Sequence, residues 1–303
     1  MKKTLFKAQN SRKANLHCHT VVSDGRHTPE EIKEMYTRQG YSIVAYTDHY
    51  TMKPHHDLSD ENFLAITSCE VDINQKGGRR TYHLNLYATR ADMTEQPPLP
   101  RGIDYADKVA INEYLRQRVE EGYLVSYNHP AWSLQDLTDY VGLEHIWAME
   151  IMNYGCDTEG LYGGAFQVYD EMLRGNGPLF CVAVDDNHNG APKCDSFGGW
   201  TMINSPTLDY DDVISSLKSG DFYASTGPEI HEITLEDNVV TIKCSPCKVI
   251  NLGTDGRKSY ITHGSGLTQA SFTIGKHKYI RVTVRDERGD AWSNAYYPVW
   301  EEN

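Results

Sequence analysis

Short apolar or aromatic runs in this chain stop, again and again, on His, Asp or Glu. Ala14-Asn15-Leu16 leads into His17-Cys18-His19, and Tyr41–Tyr46 leads into Thr47-Asp48-His49. The run from Phe63 ends on Glu70, and Thr81–Tyr87 carries His83. Tyr123–Tyr127 precedes Asn128-His129-Pro130, and Leu179–Val184 precedes Asp185-Asp186-Asn187-His188. Alternate residues of a strand share a face, so His17 and His19 aim the same way and Cys18 turns aside. Two imidazoles on one side of a strand end are a ready ligand pair for a borderline divalent metal. The turn Ser23-Asp24-Gly25 brings a carboxylate back to the same neighbourhood.

Helical stretches separate most of these runs. Thr28-Pro29-Glu30-Glu31 opens the first, with Thr28 as cap, Pro29 at the first helical position, Glu31 three after the cap and Gly40 at the end. Others span about 102–122, 164–174 and 211–219. Strands alternating with helices and carrying polar residues at their carboxyl ends predict an α/β fold, a βα barrel with its site at that end. About seven strands are legible. The third and fourth join through Gly77-Gly78 rather than a helix, so the barrel is irregular. Beyond residue 227 the pattern changes to short segments of alternating polarity, such as Val239–Lys243, Lys248–Leu252 and Tyr279–Arg285. Asp237-Asn238 and Asp255-Gly256 punctuate them as turns. The expected division is a βα barrel over 1–227 and a small antiparallel, sandwich-like β-domain over 228–303.

A formal charge of −13 argues against long nucleic acid as a partner but leaves a small anionic substrate open if metal ions supply positive charge locally. There is no apolar run long enough for a membrane span, and no apolar stretch follows Lys2 and Lys3 as in a secretion signal. Seven cysteines without a regular framework fit a reducing cytoplasm. Cys244 and Cys247 read as unpaired thiols, since no second C-x-x-C accompanies them. Asp72 reads as a turn residue, and Gly163-Gly164 as a loop.

The candidate ligands are His17, His19, Asp24, His49, Glu70, His83, His129, Asp186 and His188. Six of the 13 histidines are among them. The remaining ones, His27, His55, His56, His145, His231, His263 and His277, read as solvated or structural. Taken together, His17-Cys-His-Thr-Val-Val-Ser-Asp-Gly25, Thr47-Asp-His49, Glu70, His83, Asn128-His-Pro130 and Asp186-Asn-His188 resemble the motifs of the polymerase and histidinol phosphatase (PHP) family, over roughly residues 12–227. The β-rich tail resembles that of a bacterial subgroup of the family.

The resemblance implies a distorted (β/α)7 barrel, two or three metal ions, and hydrolysis of phosphate esters by a metal-bridging hydroxide. It implies that His17, His19, Glu70 and Asp186 serve one ion. Glu70 would bridge to a second held by His83 and His129, and Asp24, His49 and His188 would hold a third. Asp185 stands beside Asp186, so either aspartate can fill that place. Mixed imidazole and carboxylate donors suit Mn, Fe or Zn better than Mg. Arg26, Arg79, Arg80 and Lys193 are candidates for holding phosphate, although a solvated side chain is the plainer reading of each. His55 and His56 are candidates for reaching the site. The expected substrate is a small phosphorylated molecule, such as a 3′,5′-bisphosphonucleotide or the end of a short oligonucleotide. The alternatives are a sugar- or histidinol-phosphate phosphatase, a metal-dependent hydrolase of non-phosphate substrates, and a non-catalytic metal-binding module.

Overall fold

The computed structural model describes residues 2–190 and 194–300. In chain order, β1 (Lys3–Lys7) and β2 (Ser11–Asn15) precede α1 (Pro29–Arg38), β3 (Tyr41–Tyr46), β4 (Leu64–Asn74) and β5 (Thr81–Ala88). Then come α2 (Lys108–Glu121), β6 (Tyr123–Tyr127), α3 (Leu137–Tyr140), β7 (Ala148–Asn153), α4 (Tyr154–Thr158) and α5 (Phe166–Gly175). β8 (Phe180–Val184), β9 (Trp200–Asn204), α6 (Tyr210–Ser219) and β10 (Phe222–Ser225) follow. The tail holds β11 (Ile230–Glu236), β12 (Val239–Thr254), β13 (Tyr260–Thr273), β14 (Ile280–Arg285) and β15 (Asp290–Ser293).

Local chemistry explains several boundaries. At α1, the Thr28 side chain accepts from the Glu31 amide while Glu31 accepts from the Thr28 amide, and Pro29 sits inside the start. Ile32 and Tyr36 of this helix pack onto Cys18, Tyr41, Tyr46 and Phe63. Asp237 and Asn238 hold φ of 46° and 65° between β11 and β12, the left-handed pair that a tight hairpin turn requires. The sequence reads as two strands where β12 is one of 16 residues. Pro246 lies in the middle of β12, and the pairing with β13 shifts register on both sides of Cys247.

All the strands belong to one sheet, in the order β8-β7-β6-β5-β4-β3-β2-β9-β10-β15-β14-β12-β11-β1, with β13 beside β12. The fold is therefore mixed α/β on a large sheet, and the ladders do not close the expected barrel. β9, invisible in the sequence, takes the edge of β2 and pairs with it antiparallel. Among the described residues a single parallel bridge, Cys18 to Asn187, joins the β2 and β8 segments, and Thr201 Oγ1 of β9 donates to the Ala183 carbonyl at 3.0 Å. Ala14, Leu16, Ile43, Ala45, Ile66, Ala148, Val182 and Val184 fill the interior beneath the ligand-bearing ends.

Two further expectations change. β4 does not stop at Glu70. Its first half pairs parallel with β3 as far as Thr67, and its second half pairs antiparallel with β5 from Ser68 to Asn74. Asp72 is thus a strand residue opposite His83, not a turn residue, and its carboxylate accepts from the Tyr50 hydroxyl.

Several contacts cross the position expected to divide the chain. β1 pairs with β11, and β10 with β15. Asn294 donates to the carbonyls of Gly220 and Phe222 and accepts from the Cys181 amide. No helix among the described residues is long and apolar enough to cross a membrane.

Candidate metal centre

The nine candidate ligands converge just beyond the carboxyl ends of β2, β3 and β8 and around the bend in β4. His17 and His19 are fully buried, with Nε2 atoms 3.0 Å apart. Glu70 Oε2 lies 3.3 Å from each of those nitrogens, and Asp186 Oδ1 lies 3.1 Å from each. Glu70 Oε1 faces the other way, 3.0 Å from His83 Nδ1 and 3.5 Å from His129 Nε2. Asp24 forms a third corner, 3.6 Å from His19 Nδ1, 3.7 Å from His49 Nε2 and 3.5 Å from His188 Nε2.

Among the described residues, three groups offer ligand atoms that all lie within 4.8 Å of one another: His17, His19 and Asp186; His17, Glu70 and His129; and His19, Asp24, His49 and His188. This partition differs from the one the resemblance implies. His19 turns its two nitrogens to two groups, and His83 touches Glu70 without joining a group.

Neighbouring residues hold these side chains. Asp48 accepts from the amides and hydroxyls of both Thr20 and Ser23, which fixes the turn carrying Asp24. Gly25 belongs there because a Cβ would sit 2.4 Å from the His19 carbonyl oxygen. Asn15 accepts from the amides of His17 and Asp185. Asn128 donates to Glu70 Oε1 at 2.9 Å. Asp186 has φ 52° and His129 φ 24°, left-handed backbone that side-chain-bearing residues adopt uncommonly.

The choice between the paired aspartates is a matter of direction. Asp186 points into the cluster. Asp185 points away and accepts from the Tyr36 hydroxyl and the amides of Phe197, Gly198 and Gly199. Burial pushes the Asp185 carboxyl up to about 6 against those hydrogen bonds. Burial also disfavours charge on Glu70, yet the imidazoles of His17, His83 and His129 hold its carboxyl well below the usual range. At His188, burial opposes the imidazolium, but the hydrogen bond to Asp24 lifts it to about 9.

The donor set fits a metal. Glu150 Oε1 lies 2.6 Å from His17 Nδ1, and a carboxylate only accepts, so in neutral His17 the Nε2 atom is bare and faces Glu70 and Asp186. His19 Nδ1 is buried without a hydrogen-bond partner and points towards Asp24. A buried imidazole lone pair facing two carboxylates, as at His17 Nε2, is what a divalent ion satisfies.

Of the other candidates, Arg26 is exposed, and its amide donates to the His188 carbonyl at 3.0 Å. Arg79 is exposed, and Arg80 is paired with Asp136 and Asp139, each at 2.8 Å. His55 packs on Tyr46 and His56 beside Tyr210. Lys193 lies outside the described residues. A cleft of about 320 Å³ opens over the ligands, walled also by Trp132, Cys156, Glu159 and Asp195. Trp132 stands against the rings of His83 and His129, and its Nε1 donates to Glu159 Oε2 at 3.4 Å. Trp132, Glu159 and Glu150 were not singled out in the sequence. The one available signal was a lone carboxylate, Glu150, inside an apolar strand.

No family model matches the chain, and no curated protein matches it. Several solved structures are similar to it in fold. One is a two-domain protein from Bacteroides vulgatus containing a predicted PHP-like metal-dependent phosphoesterase, 17% identical, with 96% of this chain and 98% of that one covered and a TM-score of 0.49. A candidate metal-dependent phosphoesterase from Bifidobacterium adolescentis is 13% identical, with 70% and 96% covered and a TM-score of 0.45. An amidohydrolase from Chromobacterium violaceum is 13% identical, with 58% and 87% covered and a TM-score of 0.40.

Proposed function

We propose that this chain is a metal-dependent hydrolase of phosphate esters, acting on a small phosphorylated substrate such as a 3′,5′-bisphosphonucleotide or a short oligonucleotide end. The observation that carries the reading is the convergence of nine imidazole and carboxylate side chains around the two oxygens of Glu70. Two or three ions of Mn, Fe or Zn would be held there by His17, His19, Asp186, Glu70, His129, His83, Asp24, His49 and His188. When bound, such ions bring the pKa of water towards neutrality and neutralise phosphate charge.

The residues of the chain do the rest. Glu70 spans two groups, fixed by the Asn128 amide. Trp132 and Glu159 form part of the cleft wall beside His83 and His129. Among the described residues no Lys or Arg lines the cleft, and bound ions would supply positive charge to meet a phosphate there. Seven cysteines without a regular disulfide framework support a cytoplasmic setting.

The test is to quantify metal in the purified chain and assay it against phosphomonoesters, bisphosphonucleotides, phosphodiesters and carbon esters. Two or three ions per chain are expected, with phosphate release. Both release and metal should be lost in the chain carrying His17→Ala and Asp186→Ala. Bound metal with turnover of carbon esters alone would refute the phosphate reading. A second expectation follows from the cleft's lack of described cations: inorganic phosphate should raise the melting temperature of the metal-loaded chain and leave the chelated chain unmoved.

A further inference from the structure

Glu150 is fully buried in β7, and the pairing of β7 with β8 shifts register immediately after it, a local irregularity that re-aims side chains. A buried carboxylate needs every lone pair answered. Oε1 takes the Nδ1 proton of His17 at 2.6 Å. Oε2 accepts from the His129 amide and from Asn153 Nδ2, both at 2.9 Å. The orientation of the Asn153 amide follows from its other end, because Oδ1 accepts from the Cys156 amide at 2.9 Å as the cap of α4. The same Nδ2 also donates to Asp186 Oδ2 at 3.0 Å. One side chain thus reaches three of the candidate ligands: the ring of His17, the backbone of His129 and, through Asn153, the carboxylate of Asp186.

We propose that Glu150 is a positioning residue for the metal centre. It holds His17 in the tautomer that leaves Nε2 bare, makes that nitrogen a stronger donor through its negative charge, and fixes the spacing of His129 and Asp186 around it. The proposal rests on the reading that this cluster binds metal. Partners of this kind behind a metal-binding imidazole typically change metal affinity by about 10- to 100-fold when removed. Glu150→Gln keeps the size of the side chain but loses the charge. It also turns an amide NH2 either on His17 Nδ1–H or on the two donors that now meet Oε2.

The experiment is a competition titration of the metal-free chain, wild type and E150Q, with zinc and with manganese alone. Far-UV circular dichroism and the metal-free melting temperature are recorded in parallel. The expected result is a Kd raised by about 10- to 100-fold in E150Q with secondary structure unchanged. If wild type and E150Q bind the ions equally well, the proposal is wrong, even if the metal-free melting temperature falls. If the wild type binds neither ion, the metal-centre reading itself fails and takes the proposal with it. The zinc-loaded wild type gives a readout that does not depend on whether the variant folds. With 15N-labelled histidine, His17 should show a protonated Nδ1 and a zinc-bound Nε2, and the reverse arrangement overturns the proposal.

Discussion

Glu70 shows how one position carries the centre. β4 changes partner just before it, at Ser68, and its carboxylate lies between the His17–His19 pair and the His83–His129 pair, with one oxygen turned to each. Gly25 is the other single-residue requirement that the geometry makes explicit. A methyl group there would meet the His19 carbonyl at 2.4 Å, and the neighbouring atoms are backbone that cannot move aside cheaply. Gly25→Ala should cost roughly 1–3 kcal/mol in chemical denaturation. It should also displace Asp24, lowering metal content more than far-UV circular dichroism. Full metal occupancy in that variant would show that the turn tolerates the shift. At this scale the sequence is readable where chemistry is local. His17 and His19 share a face because strand alternation demands it, and Cys18 is turned into the apolar seat of α1. Asp185 and Asp186 could not be told apart, because their directions depend on Tyr36 and the 197–199 backbone, far away in sequence.

At the scale of elements, α1 is the most self-contained piece. Its cap, first proline and terminal glycine are all short-range, so its boundaries could be read directly. Thr28→Ala should cost about 1 kcal/mol, measured by urea unfolding, since it frees the Glu31 amide and breaks the reciprocal pair. A change indistinguishable from zero would mean that packing of Ile32 and Tyr36 alone holds the helix start. The strands were less legible. β9 has little alternation of its own and is defined by pairing with β2 on one side and β10 on the other. Among the described residues β1 pairs with β11 alone, more than 200 residues away in sequence. Neither carries a local signal, because ladder hydrogen bonds are made by backbone groups that every residue has.

For the whole molecule, the question is how strongly the tail is joined to the part that bears the site. Arg281 of β14 makes a two-pronged contact with Asp170 of α5 at 2.8 and 2.7 Å, and Phe166 stacks on Trp292 at 5.2 Å between centroids. With β1–β11 and β10–β15 crossing the same boundary, calorimetry of the intact chain should show one cooperative transition. Two resolved transitions would show that residues 1–227 and 228–303 unfold separately. Arg281→Met should lower stability by about 2 kcal/mol. That is less than for a fully buried pair, because Asp170 is 27% exposed, and metal content should be unchanged. The sequence by itself determined the ligand-type residues, the α/β alternation, the hairpin at Asp237-Asn238 and the change of character near residue 227. All of these depend on side-chain chemistry and on spacing within a few residues. Only the tertiary structure decided that the sheet runs on through β9 instead of closing, that Asp186 rather than Asp185 faces the cluster, and that Glu150 stands behind His17. Each of those depends on which distant backbone lies alongside, and nothing in the local sequence encodes that partner.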